Sequence, residues 1–177
     1  MLGHEALGQV LRAGPDVSGV REGDWVVPVV RRACVPPCRS CLAGRRDLCV
    51  SGRYTERGIL GAHGYFAELA VDTAADVLVV PEDCRSVAVL IEPLSVVEKA
   101  IATALRLHAG QPETALVIGA GAIGLLAAMV LQRRGLRVTI LSKEPEGSSR
   151  ARLVESIDAA YITQVSAKFD VVIEAAG

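Results

Sequence analysis

Four of the five cysteines fall inside sixteen residues, as Cys34-x3-Cys38-x2-Cys41-x7-Cys49, and that spacing constrains the fold more than any other feature. Thiolates at such short intervals can converge on one tetrahedral ion, two or three of them from a single looping segment and the last closing the site. Pro36, Pro37, Gly44 and the five arginines from Arg31 to Arg46 surround them, a composition too poor in apolar residues to order itself without a staple. Two disulfides would serve the same end in an oxidising compartment. No signal peptide is expected ahead of the lobe, however, with Met1 running straight into Leu2, Gly3 and His4. The expectation is structural zinc on Cys34, Cys38, Cys41 and Cys49, with disulfides as the alternative. Four protein ligands leave no open coordination position, so such an ion holds a lobe together and does no chemistry.

Hydrophobic residues make up 51 % of the 177, enough for a real core, and aromatics only 3 %, so the interior is built of Val, Ala and Leu. Interiors of that kind suit closely packed strands and helices. A net charge of -1 argues against nucleic acid or an anionic membrane as partner. The longest apolar runs are interrupted by Pro28, Pro81 and Pro93, so no membrane span is expected. A cytoplasmic location follows as the expectation.

Two textures meet near Gly110. Before it, short β-type runs alternate with turn residues: 6–11, 24–30, 65–71 and 77–80, followed by a helical stretch over 86–107 expected to break or bend at Pro93. After Gln111 and Pro112 the pattern becomes strand, helix, strand. Residues 115–118, 137–141 and 170–173 read as strands, and Ile123, Leu126, Ala127, Val130 and Leu131 repeat on one helical face, with Gly135 placed to cap it. That is a βαβ unit with a parallel sheet. The expected fold class is therefore α/β, with a β-rich domain over 1–110 carrying a zinc lobe at 31–52, and a dinucleotide-binding domain over 111–177.

Gly119-Ala120-Gly121-Ala122-Ile123-Gly124 lies between the first of these strands and its helix. The glycines have distinct duties: a tight turn at Gly119, close backbone approach to a pyrophosphate at Gly121, and helix–strand packing at Gly124. The anion then rests on free N–H groups at the helix N-terminus. At the end of the second strand, where an NAD enzyme carries an acidic residue for the ribose, the chain reads Ser142-Lys143-Glu144. A hydroxyl and an ammonium accept a 2′-phosphate, so NADP is favoured and NAD remains open, with Glu144 the competing acidic candidate.

Taken in order, G-H-E at Gly3–Glu5, G-D-W-V-V-P at Gly23–Pro28, the cysteine lobe, E-P-L-S-V at Glu92–Val96 and G-A-G-A-I-G at Gly119–Gly124 resemble the zinc-dependent medium-chain alcohol dehydrogenase family. Within it the likeness is to the glucose 1-dehydrogenases, through Val97-Glu98-Lys99, Lys143-Glu144-Pro145 and Lys168–Ile173; sorbitol and other polyol dehydrogenases share E-P-L-S-V. The resemblance implies a partial GroES-like catalytic domain followed by the first part of a Rossmann domain. It implies that His4 ligates a catalytic zinc, that Glu92 or Glu5 supplies an oxygen ligand directly or through water, and that Glu56 contacts sugar hydroxyls. The implied reaction is hydride transfer between a sugar or polyol hydroxyl, an aldose such as glucose first, and NAD(P). A small-molecule substrate and a homo-oligomeric complete protein go with it.

The sequence departs from the family pattern in three ways. Cys34-x3-Cys38 has one residue more than the usual spacing, so Pro36-Pro37 must bulge if the sulfurs are to meet. The family's upstream cysteine ligand and proton-relay Ser or Thr do not occur, and Cys84 is not expected to replace them. Its later nucleotide-domain strands do not occur either. The resemblance thus implies a fragment, truncated at both ends, whose own turnover is not expected. A catalytically inactive zinc- and nucleotide-binding module is the alternative.

Overall fold

The computed structural model describes residues 1–177, which divide into two compact units, Met1–Glu92 and Pro93–Gly177. No helix is long and apolar enough to cross a membrane.

The first unit is made of short strands. β1 (Gly8–Gln9) and β2 (Trp25–Pro28) pair antiparallel; β3 (Arg31–Arg32) leads into the cysteine lobe, where the one-turn helix α1 (Arg39–Leu42) precedes a 3-10 turn at Arg46–Leu48. β4 (Thr55–Arg57) returns antiparallel to β3, β5 (Gly61–Ala62) lies parallel to β4, and β6 (Val77–Val79) closes the order β1-β2-β6. The buried core here is small: Val27, Val80 and Ala88, with Leu7, Trp25 and Ile91 against it.

Charge supplies what apolar packing does not. Arg32, largely buried, reaches Asp72 Oδ2 at 2.7 Å and Asp76 Oδ2 at 2.6 Å, and donates to the Tyr65 hydroxyl at 2.7 Å. Asp76 also accepts from Arg46 of the lobe and from Thr73 Oγ1 at 2.7 Å. Burial works against the Asp76 carboxylate, yet these bonds outweigh it and hold its pKa below the ordinary 3.8.

Two expectations fail in this unit. Residues 65–71 are not a strand: Tyr65 and Phe66 donate backbone bonds to Gly3 and Leu2, but beyond them no ladder continues, and Phe66, Leu69 and Val71 stand exposed. A β-prone run without a partner strand has nowhere to place its backbone groups. The expected strand over 6–11 shrinks to Gly8–Gln9.

The helical stretch does not break at Pro93 either. It begins as a 3-10 helix over Glu82–Leu90 and becomes α2 (Ile91–Leu107). Pro93 is the third residue of α2, in the turn where the 3-10 helix gives way to α, and proline's fixed φ suits a first α-helical turn.

The second unit is a four-stranded parallel sheet in the order β10-β7-β8-β9. Its elements run β7 (Thr114–Ile118), α3 (Ala122–Arg133), β8 (Arg137–Leu141), α4 (Ser149–Glu155), β9 (Ala160–Ile162) and β10 (Val171–Glu174). Ala115, Leu116 and Val117 are buried in succession, as a strand covered on both faces requires. α3 ends as expected at Gly135 (φ +89°), where Gly135 N–H bonds Gln132 O and Leu136 N–H bonds Leu131 O. Neither α4 nor β9 was anticipated. Only Ala151 and Val154 of α4 are buried, too few to print a helical period. The compact units part at Glu92 rather than at Gly110 because α2 sends Val97 and Ile101 into the core of the second unit, with Leu131, Ile140 and Val154.

Candidate functional site

The cysteine lobe gathers its four sulfurs locally. Cys38 caps α1, Cys41 lies within it, and the 3-10 turn delivers Cys49. All four Sγ atoms lie within 4.8 Å of one another, with Cys34–Cys41 at 3.8 Å and Cys38–Cys49 at 3.9 Å. Tetrahedral zinc with Zn–S bonds of about 2.3 Å sets sulfurs about 3.8 Å apart, so the spacing fits that ion. The extra residue before Cys38 is accommodated with the Val35–Pro36 peptide cis. The thiols do not ionise alike. The Cys41 backbone N–H foremost draws Cys38 down to about 5. Cys41 is pushed up to about 11: a backbone bond at Cys34 works the other way but is overcome by burial and the neighbouring sulfurs. A divalent cation would remove that conflict.

A second cluster forms from distant parts of the first unit. Ligand atoms of His4, Glu5 and Glu92 lie within 4.8 Å of one another, His4 and Glu92 half-buried and Glu5 exposed. Residues 1–3 are laid along 64–66, with Gly64 N–H to Met1 O at 2.8 Å, Phe66 N–H to Leu2 O at 3.0 Å and Tyr65 N–H to Gly3 O at 2.9 Å. This close approach needs glycine. A Cβ on Gly64 would stand 2.2 Å from Gly3 O, and one on Gly58 would stand 2.4 Å from it. Glu92 enters from the first turn of α2. Burial foremost raises its pKa, and the carboxylates of Glu5 and Glu56 add to the effect against His4. Two carboxylates beside one imidazole suit a divalent cation, and one nitrogen with oxygens leaves room for an exogenous ligand.

Glu56 stands on β4 opposite Arg31 of β3. Arg31 Nε donates to Glu56 Oε1 at 2.8 Å, and the guanidinium stacks on Tyr54 at 4.1 Å while reaching Asp47 O at 3.2 Å. The carboxylate is thereby fixed in direction. Cys84 is exposed and joins neither cluster.

In the second unit a crevice of about 450 Å³ opens at the carboxyl ends of the strands, lined by Gly119–Gly121, Leu141–Glu144, Arg150, Thr163 and 175–177. It lies where the strand order reverses, β8 and β9 standing on one side of β7 and β10 on the other, the place open α/β sheets keep for ligands. Gly119 takes φ +107°, and a Cβ there would meet Ala175 O at 2.7 Å. A Cβ on Gly124 would lie 1.9 Å from Gly119 O, whereas Gly121, the N-cap of α3, faces open space. Ala120, Ala122 and Ile123 complete the turn, and the first N–H groups of α3, uncapped by any side chain, have no intrahelical acceptors. Ser142 is buried and Lys143 exposed at the rim. Glu144 folds back: its carboxylate accepts from Ser142 Oγ and lies 3.2 Å from Arg150 Nη1.

Comparison with known proteins matches residues 85–177 to the family described as Glucose dehydrogenase C-terminus and residues 1–82 to the Alcohol dehydrogenase GroES-like domain. The chain belongs to the zinc-dependent alcohol dehydrogenase family, in its glucose dehydrogenase branch. Glucose 1-dehydrogenase of Thermoproteus tenax is 45 % identical over 187 residues, covering 100 % of this chain and 52 % of that protein. Glucose 1-dehydrogenase of Methanocella arvoryzae is 42 % identical, covering 100 % and 53 %. Among solved structures, Haloferax mediterranei glucose dehydrogenase in complex with NADP, Zn and gluconolactone superposes with a TM-score of 0.81 at 33 % identity, covering 91 % of this chain and 46 % of that one. The chain thus spans about half the length of the curated relatives it matches. Both the β-rich first unit and the Rossmann-type second unit are those of the dehydrogenase family. Gly58, Gly64, Arg31 and Arg150 escaped the sequence reading; for the glycines the only signal is their isolation among turn residues.

Proposed function

We propose that this sequence serves a zinc-dependent oxidoreductase that moves hydride between the hydroxyl of a sugar, an aldose such as glucose, and NADP, with NAD as the weaker cofactor. The observation that carries the reading is the convergence of His4, Glu5 and Glu92 in a chain that also holds a glycine-lined crevice at the strands' carboxyl ends. His4 and Glu92, with Glu5 directly or through water, would hold the catalytic zinc. When bound, that ion supplies Lewis acidity to the substrate oxygen. The chain's own residues do the positioning. The 1–3/64–66 pairing fixes His4, and Arg31 aims Glu56, which accepts hydrogen bonds from sugar hydroxyls. Gly119–Gly124 seat the pyrophosphate, and Ser142 and Lys143 face the adenosine ribose. The first unit serves metal and substrate and the second the dinucleotide, in a cytoplasmic enzyme that is homo-oligomeric when complete. Support comes from the relatives' names and from the metal-like spacing of both clusters.

Metal analysis should find two zinc ions per chain, falling to one in His4→Ala with NADP binding unchanged. One zinc in the unmodified chain would overturn the reading. Substrate class is then read as NADP reduction with glucose against sorbitol, in a protein of the relatives' full length carrying this sequence.

A further inference from the structure

Glu144, just past the end of β8, places its carboxylate between two donors. Its carboxylate is held by the buried Ser142 hydroxyl and by Arg150, whose Nη1 is 3.2 Å from Oε1. These partners pull its pKa down, the Ser142 bond foremost. Meanwhile the backbone at Glu144 is pinned, because the Tyr161 hydroxyl donates to its carbonyl oxygen at 2.7 Å. Glu144 and Arg150 keep 36 % and 53 % of their side chains exposed, so the carboxylate can swing away without disturbing the chain that bears it.

A hydroxyl and a guanidinium converging on one anion are also the donors that bind a phosphate monoester. We infer that Glu144 is an internal stand-in for the 2′-phosphate of NADP, and that Arg150 is the residue that discriminates NADP from NAD. The inference rests on the crevice being a dinucleotide site. NAD leaves the Glu144–Arg150 pair in place, and the carboxylate accepts the ribose 2′-hydroxyl. NADP must displace Glu144, after which Arg150, Ser142 and Lys143 hold the dianion. Arg150 lies in the first turn of α4, in a segment the expected Ser142-Lys143 reading did not reach. Selectivity is therefore set by competition between two anions for one guanidinium, and is weaker than Arg150 alone would give.

Calorimetric titration of the 177-residue chain with NADP and with NAD tests this. Arg150→Ala, at an exposed helical position that alanine suits, should weaken NADP about tenfold while NAD shifts less than about twofold. Glu144→Gln keeps the shape and removes the charge, and should tighten NADP several-fold while weakening NAD. An NADP:NAD ratio that stays within about twofold of the unmodified chain in Arg150→Ala, or a Glu144→Gln that weakens NADP, overturns the inference alone. Failure of the unmodified chain to bind either dinucleotide overturns the dinucleotide reading as well.

Discussion

Replacing Asp76 by asparagine should be the most damaging single polar change in the first unit. The carboxylate is 17 % exposed and is shared by Arg32 at 2.6 Å, Thr73 at 2.7 Å and Arg46. Breaking a buried ion pair by removing one partner costs about 3–5 kcal/mol. Two features lower that figure here. The site keeps some solvent, which screens the pair, and Arg32 retains Asp72 at 2.7 Å. A loss of about 2 kcal/mol remains, a large fraction of the ~5–15 kcal/mol that holds a domain together. Trp25 of β2 is the only tryptophan, so its fluorescence reports on this unit alone. With a urea slope of about 1–3 kcal/mol/M, the midpoint should fall by about 1 M. The pH dependence has a definite sign. The folded pKa of Asp76 is lowered, so its contribution is complete above the ordinary 3.8 and is lost as pH falls through the folded value. The gap between Asp76→Asn and the unmodified chain should thus be flat from about pH 5 to 8 and close in acid. Comparing the two proteins at each pH cancels proton competition for the lobe cysteines. A midpoint shift below about 0.2 M, or a gap that does not begin to narrow as pH falls below the ordinary 3.8, would refute the view that this network stabilises the unit.

Cys41→Ser should remove one zinc and leave the lobe open to proteolysis, with NADP affinity unchanged; retention of that zinc would dismiss the four-sulfur site. Gly64→Ala drives a methyl to 2.2 Å from Gly3 O, so the 1–3 segment must leave its place beside 64–66. Metal analysis should then show the lobe zinc kept and the His4 zinc lost, while two zincs retained would mean that the close approach does not position His4.

The parts legible in the sequence are those whose physics is local. A strand, a glycine turn and a helix lie within twenty residues from Thr114 to Arg133, and each glycine there answers a constraint set by its immediate neighbours. The cysteine spacing is equally local, because α1 and the following 3-10 turn bring the sulfurs together with little help from elsewhere. β9 is different: three residues, Ala160–Ile162, become a strand only because β8 offers its edge. The reverse error over 65–71 has the same cause, since β-propensity there meets no partner. The site divides in the same way. His4, Glu5 and Glu92 were assembled by family likeness, whereas Gly58, Gly64, Arg31 and Arg150 matter through contacts that join distant stretches of chain.

The two units reach order by different means, and this bears on how function depends on metal. The second buries Ile101, Leu131, Ile140, Val117 and Val154 almost completely, so its crevice rests on an apolar core. Each such side chain contributes about 1.5–3 kcal/mol when taken from water. The first has three buried residues, Val27, Val80 and Ala88, in its cluster. Its remaining order comes from charges that need one another and from sulfurs that need a cation. Arg46 ties the cysteine lobe to Asp76, and Arg31 ties the Asp47 carbonyl of the same lobe to Glu56. An ion bound by the four cysteines would therefore not be inert with respect to the chemistry. By fixing Arg31 and Arg46, it would set the direction of the carboxylate proposed to meet the sugar.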